Sequence, residues 1–289
     1  MVKIAIQGFE GCFHEMAAKQ YFINNEVKLI YCDTFEQVFH NIEKNDDTMA
    51  LVAIENTIAG SLLHKYELLC NSGATVVGEK KIHISHSICC LPEDSWETIH
   101  EVHSHPVALM QCRKYLENHK QLRAVEAADT AGAAKHIAIN KLKGQAAICN
   151  ADAARLFGMK ILEEHIEDNK HNYTRFLVIS PKEKANLVSN QEEINKASLA
   201  FTLSHERGSL SKVLSIFSFY GINLTKIQSL PIIGHEWEYM FYIDLTFDDY
   251  KLYRQSIDAV KPLTREFMNL GEYKDDTTEQ SEETKTTVI

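Results

Sequence analysis

The stretch MALVAIENTIAGS, residues 49–61, decides the fold class of this chain. Residues 49–54 are almost wholly apolar, as in a strand that is buried on both faces, and such strands occur in sheets covered by helices on either side. The apolar run ends abruptly at Glu55, Asn56 and Thr57. We therefore predict a central strand of an α/β domain with polar side chains at its carboxyl end.

The alternation of strand and helix extends to both sides of this stretch. Apolar residues between Phe35 and Ile42 follow the i, i+3, i+4, i+7 spacing of a buried helix face, and Thr34 precedes them as an N-cap. Thr130 is predicted to cap another helix, and Pro106 suits a first helical turn. The predicted strands are 2–6, 27–31, 49–54, 82–90, 99–103, 146–149, 159–166 and 173–179, and the predicted helices are 13–24, 61–70, 131–141 and 151–157 besides those that begin at residues 35 and 106.

The pattern divides the chain into two domains, a linker and a tail. We assign residues 1–181 to the α/β domain and the polar segment 182–196 to the linker. Residues 197–274 follow the order β-α-β-β-α-β of a ferredoxin-like unit, and the acidic tail 275–289 is predicted to be disordered. In the second domain the predicted strands are 198–204, 223–230, 236–247 and about 267–273, and the predicted helices are 209–220 and 248–260.

Composition excludes several classes of protein. Of 289 residues, 45% are apolar and 24% charged, as in packed soluble domains. Forty acidic and thirty basic side chains give a formal net charge of −10, which argues against nucleic acid as a partner. No apolar run approaches the roughly 20 residues of a membrane helix. The first residues, MVKIAIQG, have the pattern of a strand and not of a signal peptide, so we expect a cytoplasmic protein that does not bind membranes.

The cysteines are interpreted as reduced thiols of the core. Their number is odd, they form no CxxC pair, and most lie in apolar runs. The seven cysteines are Cys12, Cys32, Cys70, Cys89, Cys90, Cys112 and Cys149.

Polar residues at strand ends are the first candidates for a site, because loops at the carboxyl ends of parallel strands converge on a crevice. Four segments qualify: GFEGCFHEMAA (8–18), IENTIAGS (54–61), HSHPVALMQ (103–111) and DNKHNYTRF (168–176). The last combines an amide, a hydroxyl and a guanidinium, a set that suits a small polyanion. Ordinary turns would also explain the first two segments, and surface exposure would explain the fourth.

The histidines raise the alternative of a zinc site. His103 and His105 would lie on one face of a strand. No nearby cysteine pair or HExxH motif completes a ligand set, so no metal is expected. The histidines weighed for this site are His83, His86, His100, His103 and His105.

Taken together and in this order, the motifs resemble the prephenate dehydratase family. The resemblance covers about residues 3–180, and the C-terminal β-α-β-β-α-β unit is similar to the ACT domain that follows the catalytic part in this family. The matching segments are GFEGCFHEMAA (8–18), IENTIAG (54–60), SHPVALMQC (104–112), DTAGAA (129–134), AAICNADAARLFG (146–158) and NYTRF (172–176).

The resemblance implies a periplasmic-binding-protein-like catalytic domain of two α/β lobes around a cleft, working without a cofactor. It implies decarboxylation and dehydration of prephenate to phenylpyruvate in phenylalanine biosynthesis, by a lyase. Thr174 would donate to the departing hydroxyl and Arg175 would grip a substrate carboxylate. Glu55 would act as an acid with a raised pKa or would orient a neighbour. The residues implied for substrate binding are Asn56, Ser104, Gln111, Thr130, Asn172, Phe176 and Cys12.

Three residues of the first motif depart from the family pattern. Cys12 stands where Thr or Ser is usual, Phe9 where Pro is common and His14 where Ser is common. A thiol is a weaker hydrogen-bond donor than a hydroxyl, so the role of Cys12 in substrate binding is left open.

The ACT unit departs from the pattern in its second motif. The family's E-S-R-P stands here as Gln228-Ser229-Leu230-Pro231, without either charged residue, whereas the first motif begins with Gly208, Ser209 and Leu210. The resemblance implies that these seven residues shape an effector site for L-phenylalanine and that the chain forms a homodimer or homotetramer. We expect the fold and dimer contact to persist and the effector affinity or specificity to change.

Two alternatives remain at this stage. Arogenate dehydratase differs only in accepting an amino group where prephenate has a keto group, and the sequence does not decide between the two substrates. A non-catalytic amino-acid sensor could use the same fold. Thr174 and Arg175 argue against a sensor, which has no need of a hydroxyl aimed at a leaving group.

Overall fold

The computed structural model describes residues 1–182, 194–232, 234 and 238–276. The helices are α1 (Phe13–Tyr21), α2 (Phe35–Lys44), α3 (Leu63–Asn71), α4 (Pro106–Gln111), α5 (Arg113–Asn118), α6 (Thr130–Asn140), α7 (Ala151–Leu156), α8 (Ser209–Phe219) and α9 (Tyr250–Val260). The strands are β1 (Val2–Gln7), β2 (Val27–Cys32), β3 (Thr48–Asn56), β4 (Gly60–Ser61), β5 (Ala74–His83), β6 (Ser87–Cys90), β7 (Glu101–Ser104), β8 (Arg123–Glu126), β9 (Gln145–Cys149), β10 (Lys160–Glu163), β11 (Tyr173–Pro181), β12 (Lys196–Leu203), β13 (Asn223–Pro231), β14 (Tyr239–Thr246) and β15 (Thr264–Tyr273).

The first sheet has the predicted buried strand at its centre. Its order is β2-β1-β3-β11-β5, with the short β4 paired to β3. Every residue of β3 except Glu55 is buried, which is the pattern that its apolar run predicts. β1 and β2 pair in parallel from Val2 opposite Val27 to Gln7 opposite Cys32.

The second sheet has the order β10-β6-β9-β7-β8 and is mixed. β6 pairs antiparallel with β9 and β10, whereas β7 pairs in parallel with β8 and β9. Its core contains Ile88, Val102 and Ile148, all fully buried. The α/β domain therefore holds two separate sheets, as two α/β lobes require.

The third sheet has the order β13-β14-β12-β15 and completes the predicted β-α-β-β-α-β unit with α8 and α9. Both helices pack on the core of this sheet through Val213, Phe217 and Tyr253. Tyr253 stacks on Phe247, with ring centroids 4.2 Å apart. The predicted order of elements is confirmed.

The chain forms two compact units that do not follow its linear order. The first contains residues Met1–Val38, Leu51–Leu62 and Lys81–Phe176. The second contains Phe39–Ala50, Leu63–Lys80 and Leu177–Ile289. The division runs through β3, β5 and β11. The predicted domain boundaries at residues 181, 196 and 274 divide the chain by sequence order, which the compact units do not follow. These boundaries stay predictions.

One predicted strand is wrong. Residues 82–90 alternate apolar and polar throughout, yet β5 ends at His83 and β6 begins at Ser87 in the second sheet. Between them Ile84 donates its backbone N–H to the Asn172 carbonyl at 2.7 Å. Burial alternates only from Ile82 to His86, whereas every residue of β6 is buried, and periodicity does not report which sheet a strand joins. The exposed strand β8 had no such pattern and was not predicted.

The predicted cap of α6 is also wrong. Thr130 is the first helical residue, and the cap is Asp129, which has extended backbone dihedrals. The Asp129 carboxylate accepts a hydrogen bond of 2.7 Å from the Gly132 N–H. Aspartate caps helices at least as well as threonine, so the choice between neighbours is decided by backbone geometry.

Residues 182 and 194–196 of the predicted linker and residues 275 and 276 of the predicted tail lie in the described part of the chain. Lys196 is the first residue of β12 and is buried. Asp275 and Asp276 both make hydrogen bonds. The rest of these predictions, and residues 236 and 237 of the predicted third strand, lie outside the described residues.

The cysteines are free thiols, six of them buried and Cys70 half-buried, in agreement with the sequence interpretation. Within the described ranges, no helix is both long and apolar enough to cross a membrane. Nor do those ranges contain a group of three or more His, Cys, Asp or Glu side chains that could hold a metal ion.

Candidate active site

Asn56, at the end of β3, is the centre of a buried group of polar side chains. Its Oδ1 accepts hydrogen bonds from the backbone N–H groups of Ile58 and Ala59, at 3.0 and 2.8 Å. Because a backbone N–H can only donate, these bonds identify the oxygen of the amide. The Nδ2 group therefore faces the other side, where it donates to Asn172 Oδ1 at 2.8 Å and to Thr174 Oγ1 at 3.0 Å.

The orientation of Gln111, the last residue of α4, follows from that of Asn172. Since Asn172 Oδ1 accepts from Asn56, the Nδ2 group of Asn172 is the donor to Gln111 Oε1, at 3.0 Å. Gln111 Nε2 then lies toward Asn56 Oδ1, at 3.5 Å. Asn56, Gln111, Asn172 and Thr174 thus form one connected set, called the amide network below. All four side chains are buried, and three separate parts of the sequence supply them.

Thr174, the second residue of β11, is the only hydroxyl of the amide network. Its Oγ1 accepts from the Asn56 amide, so its own proton is directed away from Asn56. A hydroxyl held in this way is oriented to donate to a further acceptor. The polar segment that precedes β11 in the sequence predicted a donor here.

Arg175 and Glu55 form a pair beside the network. Arg175 Nη1 lies 3.9 Å from Glu55 Oε2, with Arg175 buried and 37% of the Glu55 side chain exposed. Asn56 and Glu55 are consecutive on β3, as Thr174 and Arg175 are on β11. Two adjacent strand ends therefore each supply one charged and one neutral polar group.

Ser104 makes its hydrogen bond within the second sheet, and its implied role in substrate binding stays a prediction. It is fully buried at the end of β7, and its Oγ donates to the Ile148 carbonyl at 2.6 Å. Its proton is therefore used within the second sheet. Thr130 is buried in the first turn of α6, next to the capping Asp129. No hydrogen bond links either side chain to the amide network within the described residues.

Cys12 and Phe176 contribute mainly to packing. Cys12 precedes α1 as its N-cap without a side-chain cap bond, and its Sγ lies 3.8 Å from the Gln7 carbonyl. Burial raises the pKa of this thiol to about 12, so it stays protonated at neutral pH. Phe176 is buried edge-on against His14, with ring centroids 5.0 Å apart.

His86 is a member of this site that the sequence analysis weighed only for zinc. It is buried, and its Nε2 lies 2.9 Å from Gln111 Oε1. Its Nδ1 has no hydrogen-bond partner among the residues that the structure describes. Burial lowers the pKa of the imidazole. The sequence shows a histidine at a position where the alternation predicts a buried side chain. That pattern does not identify the side chain that the imidazole contacts.

The residues implied for effector binding lie at two places in the third sheet's unit. Gly208 precedes α8 with φ +80°, a left-handed conformation that suits glycine. Ser209 Oγ donates to the carbonyls of Ser204 and Glu206, each at 2.9 Å. Leu210 packs partly on the core of this unit. Gln228, Ser229, Leu230 and Pro231 form the end of β13, which lies at the edge of the sheet.

Fold and site together define a class, an α/β protein of two sheets with a buried amide and hydroxyl group at adjacent strand ends and a C-terminal β-α-β-β-α-β unit. The sequence profile of the family "Prephenate dehydratase" matches residues 4–184. The chain belongs to the prephenate dehydratase family.

The chain is also similar to a curated relative and to solved structures. The chain is 34% identical over 253 residues to "Arogenate dehydratase/prephenate dehydratase 2, chloroplastic" of Arabidopsis thaliana, covering 84% of this chain and 65% of that protein. A structure described as "GqqA- a novel type of quorum quenching acylases" is 27% identical, with a TM-score of 0.83, over 95% of this chain and 98% of the other. A prephenate dehydratase from Arthrobacter aurescens in complex with L-Phe is 22% identical and shares the fold, with a TM-score of 0.83, over 94% and 90% of the two chains.

Proposed function

We propose that this chain is a prephenate dehydratase of phenylalanine biosynthesis, with arogenate as the alternative substrate. The observation that supports the proposal is the 3.0 Å hydrogen bond from Asn56 Nδ2 to Thr174 Oγ1, because it directs the threonine proton away from Asn56 and leaves the hydroxyl able to donate to a ligand. A dehydratase needs a donor at the departing hydroxyl.

The reaction loses a carboxylate and a hydroxyl from one ring. The electrons of the breaking carbon–carboxylate bond form the new ring double bond, and carbon dioxide leaves. The hydroxyl departs from the opposite carbon and takes up one proton, so that water is released and the ring becomes aromatic. Thr174 donates a hydrogen bond to the departing oxygen, and the proton is replaced from solvent.

Charge recognition is the second requirement, since the substrate carries two carboxylates. We assign Arg175 to one of them, because a guanidinium binds a carboxylate through two parallel donors. Its neighbour Glu55, 3.9 Å away, acts on Arg175 as an orienting carboxylate in this scheme. Gln111 contributes its Nε2 group as a further neutral donor.

The acylase name of one similar structure is not carried over to this chain. An acyl transfer needs an activated nucleophile. Among the nucleophilic side chains of the motifs, the Cys12 thiol is protonated and Ser104 donates to a backbone carbonyl. Neither observation favours acyl transfer.

The test is a direct assay of the purified chain with each substrate. Prephenate should give phenylpyruvate and arogenate should give phenylalanine, and the ratio of the two kcat/KM values decides the substrate. Thr174→Val, which keeps the shape and removes the hydroxyl, is the matched control. If the folded protein forms neither product, the proposal is wrong and a non-catalytic amino-acid sensor is favoured.

Regulation and assembly belong to the same proposal. We infer that the C-terminal unit is an ACT domain that binds L-phenylalanine, a ligand named for the Arthrobacter aurescens structure. The site would be formed by Gly208–Leu210 and Gln228–Pro231 in a homodimer or homotetramer, and the enzyme would act in the cytoplasm. The Arabidopsis relative is described as chloroplastic, so fractionation of the source cells is the measurement for location.

A further inference from the structure

We infer that His86 is a positioning residue that donates to Gln111 Oε1 and, together with Asn172, holds the Gln111 amide in the orientation in which its Nε2 group faces Asn56. This inference rests on the proposed function for its activity readouts. It assigns a role to a side chain that the sequence motifs leave out, and it follows from the donors and acceptors of the amide network alone.

The orientation of every amide in the network follows from two backbone groups. The N–H groups of Ile58 and Ala59 fix Asn56, which fixes Asn172, which in turn donates to Gln111 Oε1. Gln111 Oε1 is therefore an acceptor. The His86 Nε2 atom, 2.9 Å from that oxygen, must then carry a proton and donate it.

This assignment determines the tautomer of His86. With the proton on Nε2, the neutral ring has a bare Nδ1, and that atom is the one without a partner. The nearest ring, Phe13, meets the imidazole edge-on with centroids 5.8 Å apart. Burial lowers the pKa of His86, so the neutral form is the one present at neutral pH.

A buried acceptor without a partner costs stability, and an apolar side chain of similar size would avoid that cost. Gln111 Oε1 would still have the Asn172 donor, so no oxygen would be left unpaired by such a replacement. A histidine kept at this position at a cost to stability is best explained by what its Nε2 donor does to Gln111. With the His86 donor lost, one hydrogen bond instead of two holds Gln111 Oε1, so the amide is fixed less firmly in the orientation that the network requires.

The decisive variants differ in whether residue 86 has a hydrogen-bond donor and in where that donor lies. A glutamine side chain places its amide nitrogen near the position of His Nε2, whereas asparagine places it near Nδ1. We expect His86→Gln to keep kcat/KM within about threefold of the parent. His86→Asn and His86→Leu should lower it about tenfold, a change of about 1.4 kcal/mol in transition-state binding. The melting temperature of His86→Leu should be equal to or above that of the parent.

A double-mutant cycle shows whether His86 acts through Gln111. In a Gln111→Met background, His86→Leu should cause no further loss of kcat/KM. A packing role predicts instead a lower melting temperature for His86→Leu and an undiminished loss in that background, and this result would overturn the inference.

The tautomer is measured without any substrate, which separates this inference from the proposed function. Ring nitrogen NMR shifts of the full chain should show His86 neutral, protonated at Nε2 and bare at Nδ1. A proton on Nδ1 contradicts the inference even if the chain is an active dehydratase. If neither substrate is turned over, the proposed function fails, and the NMR result still decides which way Gln111 is held.

Discussion

At the scale of single residues, the orientation of one hydroxyl depends on one amide. Asn56 uses its oxygen for two backbone donors, so its NH₂ group is the part that faces Asn172 and Thr174. The Thr174 proton is therefore directed away from Asn56. The proposed chemistry depends on which end of the Asn56 side chain faces β11 as well as on the presence of the threonine.

Thr174→Ala should lower kcat at least about a hundredfold with a small change in KM, because it removes a donor needed mainly in the transition state. Thr174→Ser keeps a hydroxyl on the same strand position and should keep most of the activity. Steady-state kinetics of both variants check this. A Thr174→Ala enzyme with nearly unchanged kcat would remove Thr174 from the role of donor.

Asn56→Asp tests the orientation of that hydroxyl. One carboxylate oxygen keeps the backbone donors, and the other faces Thr174 Oγ1 as an acceptor, so the threonine proton turns toward Asp and away from the ligand. We expect kcat to fall about a hundredfold although Thr174 is intact. A Thr174→Ala substitution added to Asn56→Asp should then cost little more, and full additivity of the two losses would contradict this mechanism.

At the scale of elements, Glu15 in the first turn stabilises the start of α1, because the N-cap residue Cys12 makes no side-chain capping bond. Glu15 Oε2 accepts from the Gly11 N–H at 2.7 Å and from the Tyr31 hydroxyl at 2.9 Å, and Lys19 lies 2.6 Å from Oε1. Burial by itself would raise the pKa of Glu15, but these three donors outweigh it and hold the pKa below its ordinary value. The carboxylate thus stabilises the loop before α1, which contains Cys12.

Glu15→Gln should lower the free energy of unfolding by about 2 kcal/mol at neutral pH, the scale of hydrogen bonds to a charged group. Because the folded-state pKa is depressed, this contribution is present above the ordinary pKa of 4.5 and is lost as the pH falls through the folded-state pKa. Urea unfolding of both proteins across the acidic range measures the difference. Lys19→Met, which removes only an exposed partner, should cost about 0.5 kcal/mol. A pH-independent cost of Glu15→Gln would contradict the assignment.

At the scale of the whole molecule, a buried ion cluster joins distant parts of the sequence within the second compact unit. Lys196 Nζ lies 2.8 Å from Glu79 Oε1 and 2.6 Å from Asp275 Oδ1. Glu79 also accepts from the Asp276 N–H at 3.1 Å. The cluster connects β5 to the first residue of β12 and to the segment after β15, so the chain ends of the β-α-β-β-α-β unit are tied to a strand of the first sheet.

Lys196→Met should destabilise the protein by about 3–5 kcal/mol, since it removes the cation that lies 2.8 Å from the buried Glu79 carboxylate. Removing both charges, with Lys196→Met and Glu79→Met, should recover most of that loss. Thermal unfolding of the single and double variants is the measurement. A double variant less stable than Lys196→Met alone would show that the two charges do not act as a pair.

Effector control belongs to the same scale, because it requires the C-terminal unit to influence a site in another part of the chain. Gln228 and Leu230 replace the two charged residues of the family motif, so we expect L-phenylalanine to inhibit only well above micromolar concentration. Inhibition curves check this, and the variant carrying Gln228→Glu with Leu230→Arg should be inhibited at lower concentration. Inhibition of the unchanged chain at micromolar concentration would show that the substitutions are tolerated.

The sequence by itself determined the α/β class, the C-terminal β-α-β-β-α-β order and the family, because apolar periodicity and ordered motifs are local properties of a chain. It also named Asn56, Gln111, Asn172 and Thr174 without their contacts. Only the tertiary structure decided which atoms meet: that Ser104 donates to Ile148, that Asp129 and not Thr130 caps α6, and that His86 reaches Gln111. Whether two side chains form a hydrogen bond depends on their donor–acceptor distance to within a few tenths of an ångström. The partners are far apart in sequence, and a local pattern does not encode such distances.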